Sequence, residues 1–387
     1  MRPFLVAAIA CNVLLILPSP TRAAELKKPA VPGVDRAVAR AQQFLIGAYE
    51  GQGKFGGSQN QHMGNTALCV YALVKSKAAL DQPAITESIK KMLDYANAAP
   101  GTEDKGTYNS GLVMLALDAL RDAGVGRNGP ISPGDQEPGA KGKGRGPFDT
   151  EMRKLASALL KAQHNGTTFR YGVKRLGGFD RSVDQYAMLG MWAARRSGLP
   201  IKKTFWTKMA AFFIKRQDPD GGWAYKTGGS STHAMTAATI GSLAICHLNV
   251  AGKRMMRQEV ISSPGDETGD KPEVVERKDN SPVAKAIGKG FAWLATNGLD
   301  NTKGFNPYYI YALERACALT KTQRIGDRDW YTVKAKDLMA KQKGNGSWDG
   351  GHGDRCCTAW NLLFLTRATE DNFKPKKPRY TSPGESS

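Results

Sequence analysis

Asp180 and Asp184 stand four residues apart, a spacing that puts two carboxylates on one face of a helix. Burial raises the pKa of a carboxyl, and a carboxyl kept protonated near neutral pH can act as a general acid. Asp180, Asp184, His233 and Asp354 are the acid–base candidates on that ground. Each also has a plainer reading. Asp180 is placed to cap a helix that begins at Arg181, and Asp184 to pair with Arg181. His62 and His233 fall at helix starts, where a hydrogen bond to nearby backbone is the simpler role. His352, Asp354 and Cys356, with Cys357 beside it, offer nitrogen, oxygen and sulfur within a few residues, the best metal or nucleophile combination in the chain. Packing is the simpler account of the two cysteines, and no metal is assigned. Tyr308 and Tyr309, with Tyr311, suit a cation or a sugar ring and serve equally as core. His62, Asn109, Arg181, Tyr308 and Tyr309 are the substrate-binding candidates.

The elements that must position these residues alternate in character. A helix with one apolar face over 34–49 is followed by one over 62–76 that is apolar nearly all round. The same pairing recurs as 85–99 with 109–123, 150–163 with 181–197, 202–216 with 232–248, 283–297 with 308–320, and 330–342 with 356–369. The one-faced helices start about every fifty residues and end in a shared pattern. Phe213, Gln217, Gly221 and Trp223 keep the spacing of Leu338, Gln342, Gly346 and Trp348. Tyr49, Gly53 and Phe55 repeat it with tyrosine for glutamine, and looser copies surround Gln163, Gly290 to Phe305, and Met92 to Gly101. Residues 124–147 and 251–281, rich in proline, glycine and charge, read as loop inserts, 25–33 as a linker and 371–387 as a disordered tail.

Six copies of an amphipathic helix shielding an apolar one imply an all-α, α/α toroid over 34–370, twelve helices in an inner and an outer ring. The last apolar helix carries no polar cap, which favours closure of the first hairpin on the sixth. Parallel inner helices would then bring their amino ends, with free amides and positive dipole ends, to one mouth. His62, Asn65, Tyr108, Asn109, Asp180 and Arg181 fall there, as do Asp184, Gln185, His233, Tyr308, Tyr309, Asp354, Arg355 and Cys356.

The Gln-x3-Gly-x-Trp runs at 217–223 and 342–348 resemble the repeat of squalene and hopene cyclases, whose α/α barrels are shared by protein prenyltransferase β-subunits. The resemblance covers nearly the whole chain after its amino-terminal segment. It implies a structural task for the glutamine and the aromatic, tying an outer helix to the following turn. It does not bring the chemistry with it. The cyclase Asp-x-Asp-Asp acid motif has no counterpart, since Asp218-Pro219-Asp220 and Asp327-Arg328-Asp329 fall in a turn and at a helix start. The zinc set of the transferases finds no matching spacing.

The amino end carries Arg2, an apolar run over 4–17 and small residues at Ala23 and Ala24, the pattern of a cleaved secretory signal over 1–24. Secretion or periplasmic residence is expected, which argues against nucleic acid as partner. No later segment reads as a membrane span. Loss of that segment removes two arginines and no acid, taking the formal charge from +20 to +18 and favouring anionic partners. The five remaining cysteines read as small buried apolar residues. A monomer without cofactor is expected, binding a lipid, prenyl or anionic ligand at the mouth. A divergent enzyme on a prenyl substrate is the alternative, and a polysaccharide hydrolase or lyase a third.

Overall fold

The computed structural model describes residues 30–56, 62–130, 146–174, 180–255, 279–299 and 305–373. The signal segment, most of the linker and both insert centres lie outside these residues. Twelve α-helices follow one another along the chain: α1 (Val34–Gly47), α2 (His62–Lys75), α3 (Pro83–Asn97), α4 (Gly106–Asp122), α5 (Asp149–Ala162) and α6 (Arg181–Arg196), then α7 (Lys203–Lys215), α8 (His233–Ala251), α9 (Pro282–Thr296), α10 (Pro307–Thr320), α11 (Trp330–Lys341) and α12 (Gly353–Leu365). The odd-numbered helices bury one stripe each; α1 buries Ala37, Ala41 and Leu45, four residues apart. The even-numbered ones are buried on nearly every side, as α4 is from Gly106 to Leu120.

Each even helix packs on the even helices before and after it, and α12 packs on α2, so the inner ring closes. All six run the same way. Near their starts Cys356 donates to Asn65 (3.2 Å) and the Tyr108 and Ser182 hydroxyls meet at 2.6 Å; past their ends Lys75 donates to Asn372 (3.0 Å) and Ser197 to Asp118 (3.3 Å). Helices α4 and α6 approach closely where Gly111 and Gly190 face each other. A Cβ on Gly111 would lie 2.4 Å from the Tyr186 carbonyl oxygen.

The repeat turns explain how hairpins are joined. Gln217 Nε2 donates to Gly221 O (2.8 Å) in its own turn and to Ala286 O (2.9 Å) on the next outer helix. Gln342 does the same with Gly346 O and with Ala37 O, both at 2.9 Å, which fastens the sixth hairpin to the first. Trp223 and Trp348, wholly buried, donate their indole N–H to the Phe213 and Leu338 carbonyls. Gly221 and Gly346 have φ near 90°, and a side chain there would strike Lys289 O or Arg40 O on the neighbouring outer helix. In the first two hairpins a tyrosine replaces the glutamine: Tyr49 and Tyr95 accept from the N–H of Gly53 (2.6 Å) and Gly101 (3.2 Å).

The structure moves some boundaries. Val125–Gly126 pairs with Gly129–Pro130 at the start of the first insert, and Ser281 caps α9 at the end of the second. Residues 371–373, expected in the tail, belong instead to a 3-10 turn, Glu370–Phe373, packed on the ring; the rest of the expected tail lies outside the described residues. Among the described residues α8 is long and apolar enough to cross a membrane, a property the sequence reading missed; most of it is covered by its neighbours in the ring.

Candidate functional site

All six hairpins meet around a chamber of about 800 Å³ at the amino ends of the inner helices. Asn65 and Leu68 enter from α2, Tyr108 and Asn109 from α4, Ser182 and Tyr186 from α6. Met235 comes from α8, Tyr308 from α10, and Cys356 with Trp360 from α12. The turns before these helices supply Lys105, Tyr171, Tyr225, Phe305 and His352. Side chains four or seven residues apart on parallel helices face one axis, which is why residues distant in sequence form this wall.

Asp180 organises one side of it. The carboxylate caps α6, accepting from Val183 N (3.0 Å) and Ser182 Oγ (2.5 Å), and its other oxygen accepts from the Tyr171 and Tyr225 hydroxyls. Burial above all, then the bond to Asp180, raises the pKa of Tyr171 and of Tyr225, and burial with the Asp180 charge raises Tyr108. These phenols are therefore neutral donors. The Lys105 ammonium rests 4.1 Å from the centroid of the Tyr171 ring, and it is the one charged side chain among the described lining residues. Across the chamber His352 stands edge-on to Trp360, and burial lowers its pKa. Trp360 donates to Tyr186 (3.1 Å), and Tyr308 donates to Gln185.

Tyr171 and Tyr225 escaped the sequence reading because they lie in turns. Each follows the buried turn aromatic by two residues, Phe169 in one case and Trp223 in the other, and in extended chain that alternation points one ring inward and the next toward the mouth.

The remaining candidates lie elsewhere. Asp184 is buried off the chamber wall, where it accepts from Thr168 Oγ1 (2.9 Å) and Phe169 N (2.8 Å) and so holds the Gln163–His164 and Thr168–Phe169 hairpin; burial pushes its pKa up to about 7. Its hydrogen bonds go to this turn, whereas Arg181, close enough to act on it only through its charge, donates to Arg216 O. His233 is wedged between Trp293 and Tyr309 with Nε2 on Gly298 O (3.0 Å), behind the wall. Tyr309 and Tyr311 are core, so of that tyrosine stripe only Tyr308 reaches the chamber. Asp354 pairs with Lys343 (3.3 Å) away from the wall, and Arg355 with Glu50. Asn109 reaches the wall and accepts from Gly64 N (2.8 Å). His62 begins α2. Burial lifts the Cys356 thiol to about 12 and Cys357 to about 11, which keeps both protonated near neutral pH and makes them poor nucleophiles. No group of three metal-ligating side chains occurs among the described residues. All five cysteines from Cys69 onward are free and buried. Asp220 accepts from the Trp293 indole (2.9 Å) and Asp329 caps α11, turn and cap roles respectively.

No family model and no curated protein matches this sequence. Solved structures do match it. A protein from Actinoplanes aligns with a TM-score of 0.53 at 17% identity, over 87% of this chain and 99% of that one. The type II terpene cyclase MstE from Scytonema aligns with a TM-score of 0.50 at 14% identity, over 88% of this chain and 99% of the cyclase. A variant of that cyclase holding its product, merosterolic acid A, also scores 0.50 at 14% identity, over 87% and 97%. At such identities the likeness establishes the fold: this chain is a terpenoid cyclase-like α/α toroid.

Proposed function

We propose that this protein binds a small, largely apolar ligand of the isoprenoid or a similar hydrocarbon class in the mouth chamber. One observation carries the reading: an open-mouthed cavity of about 800 Å³ lined from all six hairpins and faced by five tyrosines, Trp360 and Phe305. That volume falls in the range of small-molecule sites, and concave walls of aromatic and apolar side chains with a few fixed polar groups are their usual form. Lys105 and six converging helix amino ends make the mouth favour an anionic ligand over a cationic one.

Catalysis on such a ligand is the second reading, and the Asp180 cluster favours it. The described wall has no carboxylate of its own, but Asp180 touches two wall phenols and could relay a proton through them. Asp180→Asn keeps a good helix cap and removes the acid. Product formation from a prenyl substrate that stops in this variant, with binding unchanged, would establish catalysis.

Binding itself is tested by tryptophan fluorescence. Farnesol should quench saturably, with the signal lost in Trp360→Phe, and a xylo-oligosaccharide should not. Quenching by the sugar alone would replace this reading with the carbohydrate one.

A further inference from the structure

Beneath the chamber lies a second polar feature that neither the repeat turns nor the wall uses. Tyr308, Tyr311 and Arg315 occupy positions i, i+3 and i+7 of α10, one stripe descending from the chamber along the ring's inside. Arg315 is 2% exposed. Its guanidinium carbon lies 3.4 Å from the centroid of the Tyr311 ring, one turn below Tyr308, as expected of a helical side chain leaning toward the amino end. Neither Nη1 nor Nη2 has a hydrogen-bond partner. Its neighbour Glu314 does not supply one, because that carboxylate is turned to Thr369, accepting from its N–H (3.0 Å) and its hydroxyl (2.6 Å).

Two buried amides on other inner helices share the deficit. Gln185 on α6 accepts from Tyr308 through Oε1 and leaves Nε2 unpartnered. Asn361 on α12 is wholly buried with both amide atoms unpartnered, and like Arg315 it is the ninth residue of its helix. The charge of Arg315 is felt by the phenols of Tyr71, Tyr186, Tyr308 and Tyr311, which are neutral, and by the Glu314 carboxylate, which lies within electrostatic reach but spends its oxygens on Thr369.

A guanidinium cannot shed its proton, and a buried one whose two Nη groups donate to no acceptor keeps much of its desolvation cost even with a carboxylate nearby. Its planar fork is matched by a carboxylate, two parallel N–H···O bonds at once. We infer that Arg315, with Gln185 and Asn361, forms an oxyanion subsite below the chamber floor, built for the carboxylate of an apolar acid whose hydrocarbon tail fills the aromatic chamber. This rests on the chamber-binding reading for the tail and on Arg315 for the head. A free small carboxylate has the same chemistry and is the other source of the anion. Entry passes the floor formed by Tyr186, Tyr308 and Trp360, held by the Trp360–Tyr186 and Tyr308–Gln185 bonds.

The test uses the full chain, farnesoic acid against farnesol by Trp360 quenching, and acetate against chloride at equal ionic strength by thermal unfolding. Farnesoic acid should bind at least about tenfold more tightly than farnesol, and Arg315→Met should abolish that preference while leaving farnesol affinity within about twofold. An acetate-dependent rise in Tm that is absent from Arg315→Met, without an acid preference, supports the subsite with a free anion as its occupant. A preference that survives Arg315→Met and disappears in Lys105→Met places the acid at the rim and overturns the inference. So do equal affinities for acid and alcohol together with no acetate effect. Should Arg315→Met fail to fold, Arg315→Lys decides: it keeps the charge without the fork, and the acid preference should fall by about threefold or more. If neither farnesol nor farnesoic acid quenches Trp360, the chamber reading fails, and the acetate arm alone judges the subsite.

Discussion

The two ends of the inner ring are made from the same six helices and have opposite chemistry. At the amino ends a chamber stays open, its polar groups are mostly neutral phenols, amides and hydroxyls with His352 and, among the described lining residues, the single cation Lys105, and Asp180 is held by hydroxyls. At the carboxyl ends charged groups pair and the chain covers them. Asp118 accepts from Arg121 (2.5 Å) and lies 3.3 Å from Arg196, and Asp122 binds both arginines. Glu370–Phe373 then runs across the ends of three helices. Lys75 reaches Asn372, Phe373 stacks on Trp192, and Arg254 lies 4.0 Å from the Phe373 centroid and 3.1 Å from Glu370. The difference shows where this fold puts rigidity. Arginines at helix carboxyl ends complement the dipoles, and buried acids there gain cations, so that end is tied shut. The amino ends leave amides free, which is what a ligand can use.

The comparison can be broken most directly at Asp118. Asp118→Ala should leave Arg121 and Arg196 with Asp122 but take away a buried carboxylate that both contact, and cost about 2–3 kcal/mol in urea unfolding, with farnesol affinity per folded molecule unchanged. An effect below about 1 kcal/mol would mean that the paired end does not carry the stability assigned to it.

Next in size is a pH effect separating the buried acids. Asp184 has no ion-pair partner among the described residues, and burial raises its pKa from the usual carboxylate range to about 7. A raised carboxyl pKa makes the folded state hold a proton the unfolded state releases. Its contribution is fully present below about pH 4 and is lost as pH rises through about 7. Asp184→Asn should flatten this part of the stability profile, by an amount on the order of a few kcal/mol, and leave the variant the more stable protein above pH 7. An identical slope in both proteins would show that Asp184 ionises normally.

Phe373→Ala should cost less, about 1–2 kcal/mol, through loss of the Trp192 stack and the Arg254 contact, again without changing ligand affinity. The smallest stability effect belongs to the mouth. Tyr225→Phe removes one hydroxyl from Asp180 on a side chain that is 40% exposed, and should cost no more than about 1 kcal/mol. If it matched Asp118→Ala, the two ends would be equally structural and the mouth would lose its standing as a ligand site.

Much of this architecture is legible from periodicity. The alternation of one-faced and all-round apolar helices forecasts twelve helices to within about three residues at each end, and the spacing of Gln217 to Trp223 and Gln342 to Trp348 marks the turns. The mouth is legible too, since Tyr108, Asn109, Asn65, Tyr308 and Cys356 all reach the chamber from predicted helix starts. Asp184, His233 and Tyr309 do not, although they lie at the same starts. A helix start places a residue at the right height on the ring but leaves its direction around the helix open. One residue of offset turns a side chain through about 100°, enough to move Tyr309 from the chamber where Tyr308 sits into the core beside His233.

Sequence alone thus determined the repeat, the helical hairpins and the end of the ring at which polar groups gather, because these follow from local spacing and burial. Tertiary structure decided which of those groups share a space. Tyr171 and Tyr225 join Asp180 only because two turns from different hairpins converge. The Arg315 guanidinium lacks a hydrogen-bonded carboxylate among the described residues because Glu314 is claimed by Thr369, 55 residues farther along the chain. Both outcomes depend on ring closure, and no local pattern encodes the distance between helices that meet across an axis.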